Sequence, residues 1–284
     1  MKYVHRLFNL VLILISVGCT TQPQVRDFSV PIQDTVPLVH AHAHNDYMHQ
    51  HPLFDALRHG FTSIEADIHL VNDELFVAHD RVNVKSERTL KSLYLDPLKE
   101  IINSHSGWVF GDSTQITLLI DIKSDGKSTY RRLHKQLQEY KSIVTSFNER
   151  QRHNKALVII ISGNRPLEYM QSQQYRLAAY DGRVSDLEKG YHNTMVPLIS
   201  DRWSSHFDWK GTGTIPGEEE IKLLKIITQA HENGQQVRFW ATPDYPSEDR
   251  QRVWNTLYKA GVDLINTDDL EGLQSFLLDK MRAE

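Results

Sequence analysis

The stretch Ile64–Asp80, IEADIHLVNDELFVAHD, decides the expected fold. Its first half is a short apolar run typical of a β-strand, and Glu65 and Asp67, two residues apart, share one face of it. Its second half, ELFVAHD, is apolar again, and we interpret it as the return strand of a hairpin. The stretch therefore predicts a strand that carries two acids, followed by a small antiparallel partner.

The rest of the chain alternates short apolar runs with helical patterns. With the hairpin strand set aside, eight runs remain, and most end in a polar residue: LVHAHAH, TSIEADIHL, ITLLIDIKS, ALVIIISG, YRLAAYDG, MVPLISD, QVRFWATP and DLINTDD. The segments between them carry helix signals, such as the acidic start of PGEEEIKLLKIITQAHENGQ and Gly234 at its end.

Strands that alternate with helices predict a parallel sheet. Eight of them predict an α/β protein, a (β/α)8 TIM barrel with a small hairpin strand after the second barrel strand. An open, doubly wound sheet is the competing architecture, but the glycine-rich phosphate loop that it usually carries is absent from the sequence. We therefore expect the functional residues at the C-terminal ends of the barrel strands.

The residues before the first strand carry signals of a different kind. Residues 1–18 have basic residues followed by LFNLVLILISV, which is typical of a signal peptide and too short to span a bilayer comfortably. Cys19, the only cysteine, resembles the lipidated residue of a bacterial lipoprotein, although Ser16 replaces the usual leucine of that motif. An ordinary secretory signal and a short uncleaved anchor are the alternatives. Residues 19–37 are polar with three prolines and predict a tether, which leaves 38–284 as the barrel domain.

Location and partners follow from these signals and from the charge. We expect a lipid-anchored protein of the bacterial cell envelope, in the outer membrane if the host has two membranes, and secreted or periplasmic if the cysteine is not used. The chain of 284 residues has a net charge of −4, so it lacks the basic field that nucleic acid requires. We expect a monomer whose membrane contact is the lipid anchor.

Carboxylates at predicted strand ends suggest a metal site. Glu65 and Asp67 repel each other on one strand face unless a cation lies between them. With Asp121 and the side-chain oxygen of Asn45 they make an all-oxygen set, which suits one divalent cation, Ca²⁺ or Mg²⁺.

Two histidines and a lysine accompany these acids. His44 ends the alternating run HAHAH, and His79 ends the hairpin strand. Histidine is well matched to proton transfer near neutral pH, so both are candidate catalytic residues. Lys123 shares a strand face with Asp121 and is a candidate for balancing the charge of a phosphate.

Further candidates for substrate binding keep a structural alternative. His42 is a ligand, a partner of a ligand or a core histidine, and Trp240 is either an apolar wall against the substrate or plain packing. Arg183 and Arg202 lie at predicted strand ends, where each binds a phosphate or belongs to a structural ion pair.

These motifs resemble the phosphatidylinositol-specific phospholipase C-like phosphodiesterase superfamily, which includes glycerophosphodiester phosphodiesterases and sphingomyelinase D toxins. The resemblance rests on His44-Asn45, Glu65-x-Asp67, the later histidine and the acid-x-lysine pair ending at Lys123. In detail, the sequence looks closest to bacterial relatives of the fungal altered-inheritance-of-mitochondria phosphodiesterase-like proteins. This likeness rests on the motifs HAHNDY, YDGR, RFWATPD and GVDLINTDDL. One departure stands out, because His-Asn-Asp replaces the His-Arg-Gly whose arginine binds phosphate in glycerophosphodiesterases.

The resemblance implies a (β/α)8 barrel and a metal-dependent phosphodiesterase. The substrate would be a small-molecule or lipid phosphodiester, of the glycerophosphodiester or phospholipid headgroup type. His44 would take a proton from the attacking hydroxyl or water, and His79 would protonate the leaving alcohol. The product is open or cyclic, depending on whether water or a neighbouring hydroxyl attacks.

Two other functions compete with this interpretation. The HAHAH run is similar to the His-x-His motif of amidohydrolases and of polymerase-and-histidinol-phosphatase enzymes, but those sites need histidines at later strand ends, where this sequence has none. The other alternative is a non-catalytic surface lipoprotein that uses the barrel as a binding module. The presence of all the expected catalytic residues argues against it.

Overall fold

A computed structural model of the chain describes residue 32 and residues 35–283. The predicted signal peptide, Cys19 and most of the predicted tether lie outside these residues, so the domain boundaries stay a prediction. Within the described part, no helix has both the length and the apolar character needed to cross a membrane.

Eight parallel strands close into a barrel, which confirms the predicted fold class. β1 pairs with both β2 and β12, so the sheet has no open edge between its first and last barrel strands. The barrel strands are β1 (Leu38–Ala43), β2 (Phe61–Val71), β4 (Ile116–Ile122), β7 (Leu157–Gly163), β9 (Ala179–Gly182), β10 (Leu198–Arg202), β11 (Gln236–Trp240) and β12 (Leu264–Thr267). The other strands are β3 (Glu74–Val77), β5 (Ser146–Asn148), β6 (Gln151–His153) and β8 (Tyr175–Arg176).

Helices follow most of the barrel strands. They are α1 (Phe54–Arg58), α2 (Asp96–Ser104), α3 (Gly126–Leu137), α4 (Leu167–Gln171), α5 (Gly217–Glu232), α6 (Glu248–Ala260) and α7 (Leu270–Ala283). Their ends match the sequence signals. The Ser247 side chain accepts a hydrogen bond from the amide of Arg250 at the start of α6, and Gly261 follows its last residue in the left-handed conformation.

The hairpin strand is confirmed. β3 runs antiparallel to β2, with Ile68 opposite Val77 and Val71 opposite Glu74. Asn72 and Asp73 form the turn, and both have positive φ angles, as a tight two-residue hairpin turn requires. The hairpin brings the residues after β3 back to the C-terminal end of β2.

One predicted strand is divided in the structure. The run YRLAAYDG was expected to be a single barrel strand, but only β9 belongs to the barrel, while β8 pairs with β5. β5, β6 and β8 form a separate three-stranded sheet. The sequence did not reveal it because strands of two and three residues are too short to show a period.

The strands alternate between two environments. Residues of one parity face the helices and form the larger apolar core, with Ile64, Ile120 and Ile159 fully buried. Residues of the other parity face the barrel interior. A small apolar cluster occupies part of that interior, and it includes Leu119, which is in register with Glu65. The polar residues of the same parity line the rest of the interior up to the strand ends.

Candidate active site

Three carboxylates converge at the C-terminal end of β2 and β4. Asp67 is in register with Asp121 on the neighbouring strand, and Glu65 lies two residues earlier on the same face of β2. One carboxylate oxygen from each of these three residues lies within 4.8 Å of the others. Among the described residues, this group of ligands contains carboxylates only, so the histidines of the HAHAH run take no part in it.

Two oxygen atoms of this cluster have no hydrogen-bond partner. They are Oδ1 of Asp67 and Oδ1 of Asp121, and both are buried. Lys123 Nζ lies between the other two oxygens, 3.2 Å from Asp67 Oδ2 and 3.3 Å from Asp121 Oδ2. An unpartnered buried carboxylate oxygen costs free energy, and a hard divalent cation would satisfy it. The cluster therefore fits the one metal ion that the sequence predicted.

The electrostatics of the cluster agree with this fit. Burial raises the pKa of Asp67, and the charge of Glu65 raises it further. Burial also raises the pKa of Asp121, in spite of the positive charge of Lys123. Burial alone would lower the pKa of Lys123, but the two aspartates raise it. The aspartates thus lack sufficient positive charge, and a bound cation would supply it.

Glu65 lies in a different environment. Its Oε2 accepts a hydrogen bond of 3.1 Å from Arg238 Nη1 and lies 3.2 Å from His42 Nε2. Burial alone would raise the pKa of Glu65, but the imidazole of His42 and the guanidinium of Arg238 hold it well below its usual range. Burial, together with the charge of Arg238, lowers the pKa of His42 to about 3, so this histidine is neutral.

Arg238 is a site residue that the sequence interpretation missed. It is 4% exposed, and besides Glu65 it donates to Ser200 Oγ (3.1 Å) and Asn266 Oδ1 (3.2 Å) and contacts His42. Its position in the middle of the apolar run QVRFW hid it. The available signal was its parity, because it lies two residues before Trp240 and shares its strand face.

His44 is anchored by an acid from the last barrel strand. Its Nδ1 donates to Asp268 Oδ1 at 2.8 Å, and no described residue forms a hydrogen bond with its Nε2. Burial alone would lower the pKa of His44, but the hydrogen bond to Asp268 raises it. Asp268 is in turn held by Asp244, whose Oδ2 accepts from the Asp268 amide at 2.7 Å and whose Oδ1 accepts from Thr267 Oγ1.

His79, which follows β3, is also anchored by an acid, in this case one from β2. Its Nδ1 donates to Asp67 Oδ2 at 2.9 Å, and its side chain is 58% exposed. Tyr47, a second residue that the sequence did not single out, joins these groups. Its hydroxyl lies 2.7 Å from Asp67 Oδ2, 2.7 Å from Asn45 Oδ1 and 3.1 Å from His79 Nδ1. The structure thus links Asn45 to the acids through Tyr47.

The remaining candidates are placed as follows. His42 is fully buried, with Nδ1 2.7 Å from Ser63 Oγ. Arg183 donates to Asp181 Oδ2 (2.8 Å) and to the backbone oxygen of Ser200, so the structural ion pair considered for it is present. Arg202 is exposed, and its guanidinium lies 5.4 Å from the ring centre of Trp240 at the end of the adjacent strand.

Comparison with known proteins gives the family. A model of the AIM6-like phosphodiesterase domain matches residues 30–181, more than half of the chain, and a model of the glycerophosphoryl diester phosphodiesterase family matches residues 236–271. The chain is 31% identical to an altered inheritance of mitochondria protein 6 homolog of Arthroderma benhamiae, over 83% of this chain and 82% of that protein. It is 28% identical to altered inheritance of mitochondria protein 6 of Kluyveromyces lactis, over 86% and 73%.

Among solved structures, a glycerophosphoryl diester phosphodiesterase from Parabacteroides distasonis is similar over 88% of this chain and 87% of that one. The identity is 13% and the TM-score is 0.48.

These relatives correct one expectation. The predicted location in a bacterial cell envelope is wrong, because the curated relatives come from moulds and yeasts and point to a eukaryotic protein. The expected closeness to bacterial members is unsupported for the same reason. The superfamily itself is confirmed by both family models, and they support a phosphodiesterase function. The chain belongs to the family of proteins with an AIM6-like phosphodiesterase domain.

Proposed function

We propose that this chain is a metal-dependent phosphodiesterase that uses His44 and His79 as base and acid. The observation that carries the proposal is the pair of unpartnered buried oxygens on Asp67 and Asp121, flanked by two histidines that are each anchored through Nδ1. Anchoring through Nδ1 leaves Nε2 of each ring for proton transfer.

One divalent cation, Ca²⁺ or Mg²⁺, would be held by Glu65, Asp67 and Asp121, with Asn45 as a further oxygen ligand. When bound, this cation stabilises the negative charge that develops on the phosphoryl oxygens. Lys123, which lies against both aspartates, binds the phosphate from the side and adds a second positive charge.

The charge of the site favours a diester over a monoester. Three carboxylates face two cationic side chains, Lys123 and Arg238, which leaves one net negative charge. A divalent cation turns this into one net positive charge. That charge matches the single negative charge of a phosphodiester, whereas a phosphomonoester carries nearly two at neutral pH.

The two histidines then act in sequence on the bond that breaks. His44, which donates from Nδ1 to Asp268, takes the proton of the attacking hydroxyl or water at Nε2. The new oxygen–phosphorus bond forms as the bond to the leaving oxygen breaks, and His79 gives its Nε2 proton to that oxygen. Asp268 stabilises the imidazolium that forms on His44, as the acid of a catalytic triad does.

The substrate is a small-molecule or lipid phosphodiester of the glycerophosphodiester or phospholipid headgroup type. The net charge of −4 gives no field for nucleic acid, and we expect the protein to act as a monomer. A neighbouring hydroxyl on the substrate would give a cyclic phosphate, and water would give the open product.

The test follows release of nitrophenol from bis(4-nitrophenyl) phosphate by the full chain. EDTA should abolish turnover, and Ca²⁺ or Mg²⁺ should restore it. His44→Ala should be inactive with the restored metal, while His51→Ala, an exposed histidine paired with Asp55, should keep full activity. Turnover restored by Zn²⁺ or Mn²⁺ alone, or retained in His44→Ala, would contradict the proposal.

A further inference from the structure

A groove of about 560 Å³ opens beside the candidate site on the side of His79. Asn45, Tyr47 and His79 form the wall that it shares with the site. The loop that follows β3 supplies charged residues further out, namely Asp80, Lys85 and Arg88. The groove is therefore continuous with the acid that we assign to the leaving alcohol.

The charges of the groove are unequal. Lys85 is exposed, and its ammonium group has no hydrogen bond or ion pair within the described part of the chain. Arg88 donates through Nη2 to the backbone oxygen of Tyr47, which fixes its guanidinium against the wall without neutralising it. Asp80 is the one acid in the lining. Burial lowers the pKa of His49, the other titratable group in the outer lining, so it adds no charge. The groove thus has one net positive charge beyond the catalytic groups.

We propose that this groove binds the leaving alcohol and selects phosphodiesters whose leaving group carries an anionic substituent, such as a carboxylate or a second phosphate. This inference rests on the proposed function. The leaving oxygen must lie within hydrogen-bond reach of His79 to receive its proton. The rest of the alcohol then extends away from phosphorus into the groove that His79 lines. Lys85 and Arg88 are the cations that an anionic substituent meets there.

A matched pair of chromogenic substrates tests the proposal. They are methyl 4-nitrophenyl phosphate and its analogue with a carboxylate next to the nitro group, which release phenols of similar acidity. The measured quantity is the ratio of kcat/KM for the substrate with the carboxylated leaving group to that for the substrate with the uncharged leaving group. Lys85→Gln should lower this ratio by about two- to fivefold, the upper part of the range for one exposed charge pair. Asp80→Asn should raise it by about the same factor, because it removes the opposing charge.

Two controls separate the groove from general charge and from folding. Arg81→Gln removes an exposed cation of the same loop that does not line the groove, and it should leave the ratio unchanged. Lys85→Arg should keep the ratio of the unmodified protein. Turnover of methyl 4-nitrophenyl phosphate by Lys85→Gln reports on folding, since its leaving group has no charge for the lysine to bind.

The outcomes distinguish the two proposals. A ratio that falls in Lys85→Gln and rises in Asp80→Asn, with both effects reduced in high salt, supports the groove. Turnover of both substrates with a ratio that neither variant changes overturns the groove and leaves the phosphodiesterase intact. Turnover of neither substrate under any metal condition overturns both.

Discussion

Two layers of the barrel interior hold carboxylates in opposite ways. In the inner layer, formed by Glu65, His42 and Arg238, the acid is buried against its own cation. In the rim layer, one inward-facing position further along each strand, Asp67 and Asp121 share Lys123 and each keep one unpartnered oxygen. The charge of the acid in the inner layer is balanced by the protein itself, whereas the charges of the two rim acids are balanced only when the rim binds a cation.

The three proposed metal ligands therefore differ in how far the protein itself neutralises them. All three carboxylates face the same interior, and one oxygen of each lies within 4.8 Å of the others. The partner of each acid is what differs. Glu65 has a buried arginine of its own and keeps its charge without a metal, whereas Asp67 and Asp121 share one lysine and depend on a ligand for the rest of their neutralisation.

The largest expected effect comes from removing the inner cation. Arg238→Met should lower the free energy of unfolding by about 3–5 kcal/mol, because it leaves the charge of Glu65 buried without a partner. Urea denaturation followed by circular dichroism measures this. Adding Glu65→Gln should recover part of the loss. Arg202→Met, an exposed arginine of the neighbouring strand, is the matched control. If the two arginine variants lose the same free energy of unfolding, Arg238 is not the cation that compensates the buried charge of Glu65.

The second effect concerns the rim. Asp121→Asn should lower turnover at least about a hundredfold, the upper end of what the loss of a metal's outer partner costs. It should leave the free energy of unfolding unchanged or slightly higher, because burial already disfavours the ionised form of Asp121. Asp125→Asn, which keeps the capping oxygen at the start of α3, is the control for activity and melting temperature. Full activity in Asp121→Asn would remove this residue from the site.

Asp46 is a buried acid that pairs with no cation among the residues that the structure describes. Asp46 accepts from the amide of Leu53 and from the hydroxyl of Tyr94, and burial raises its pKa to about 7. Between its unfolded and folded pKa values the native state holds a proton that the unfolded state has lost. This contribution to stability therefore falls as the pH rises from about 4 to about 7, by about 1.4 kcal/mol per pH unit.

Asp46→Asn removes this dependence. The unfolding free energy of the variant minus that of the unmodified protein should therefore increase by about 1.4 kcal/mol between pH 5 and pH 6. The opposite contribution of His42, which is buried neutral, is present in both proteins and cancels in the difference. Asp73→Asn, at an exposed turn position, should show no such change. A constant difference between pH 5 and pH 6 would contradict the ionisation assigned to Asp46.

The smallest effect is expected from the hydroxyl that joins the rim groups. Tyr47→Phe keeps the buried ring and removes the hydrogen bond to Asp67, which should cost about 1 kcal/mol of unfolding free energy. Turnover should fall less than in Asp121→Asn, since every proposed ligand and both histidines remain. A loss of turnover as large as that of Asp121→Asn would contradict this and would make Tyr47 a catalytic residue, not a positioning one.

The sequence predicted the barrel and most of the rim because both follow from periodicity. Alternation with period two placed Glu65 with Asp67 and Asp121 with Lys123, and the hairpin interpretation of ELFVAHD gave the correct count of eight barrel strands. The helix ends were predictable because capping residues act locally.

The inner layer was not predictable in the same way. Arg238 looks like an interruption of an apolar strand until its partner is known, and that partner lies 173 residues away in the chain. The roles of Asp268 and Tyr47 were equally hard to predict, since they arise from contacts between segments that only the closed barrel brings together. Local patterns identify which residues face inward, but the pairing of charges between strands depends on the tertiary fold.

The hairpin of β2 and β3 also limits how this chain can change in length. Ala78 donates its amide to the backbone oxygen of Asp67 at 3.2 Å, so the ladder sets where His79 stands relative to the rim acids. Extending the hairpin by one residue in each strand moves only its tip, whereas one extra residue in a single strand shifts the ladder or forces a bulge. Insertions within the paired strands, outside the turn at Asn72 and Asp73, should therefore retain activity only when each strand gains the same number of residues, and a library of engineered insertions would show this.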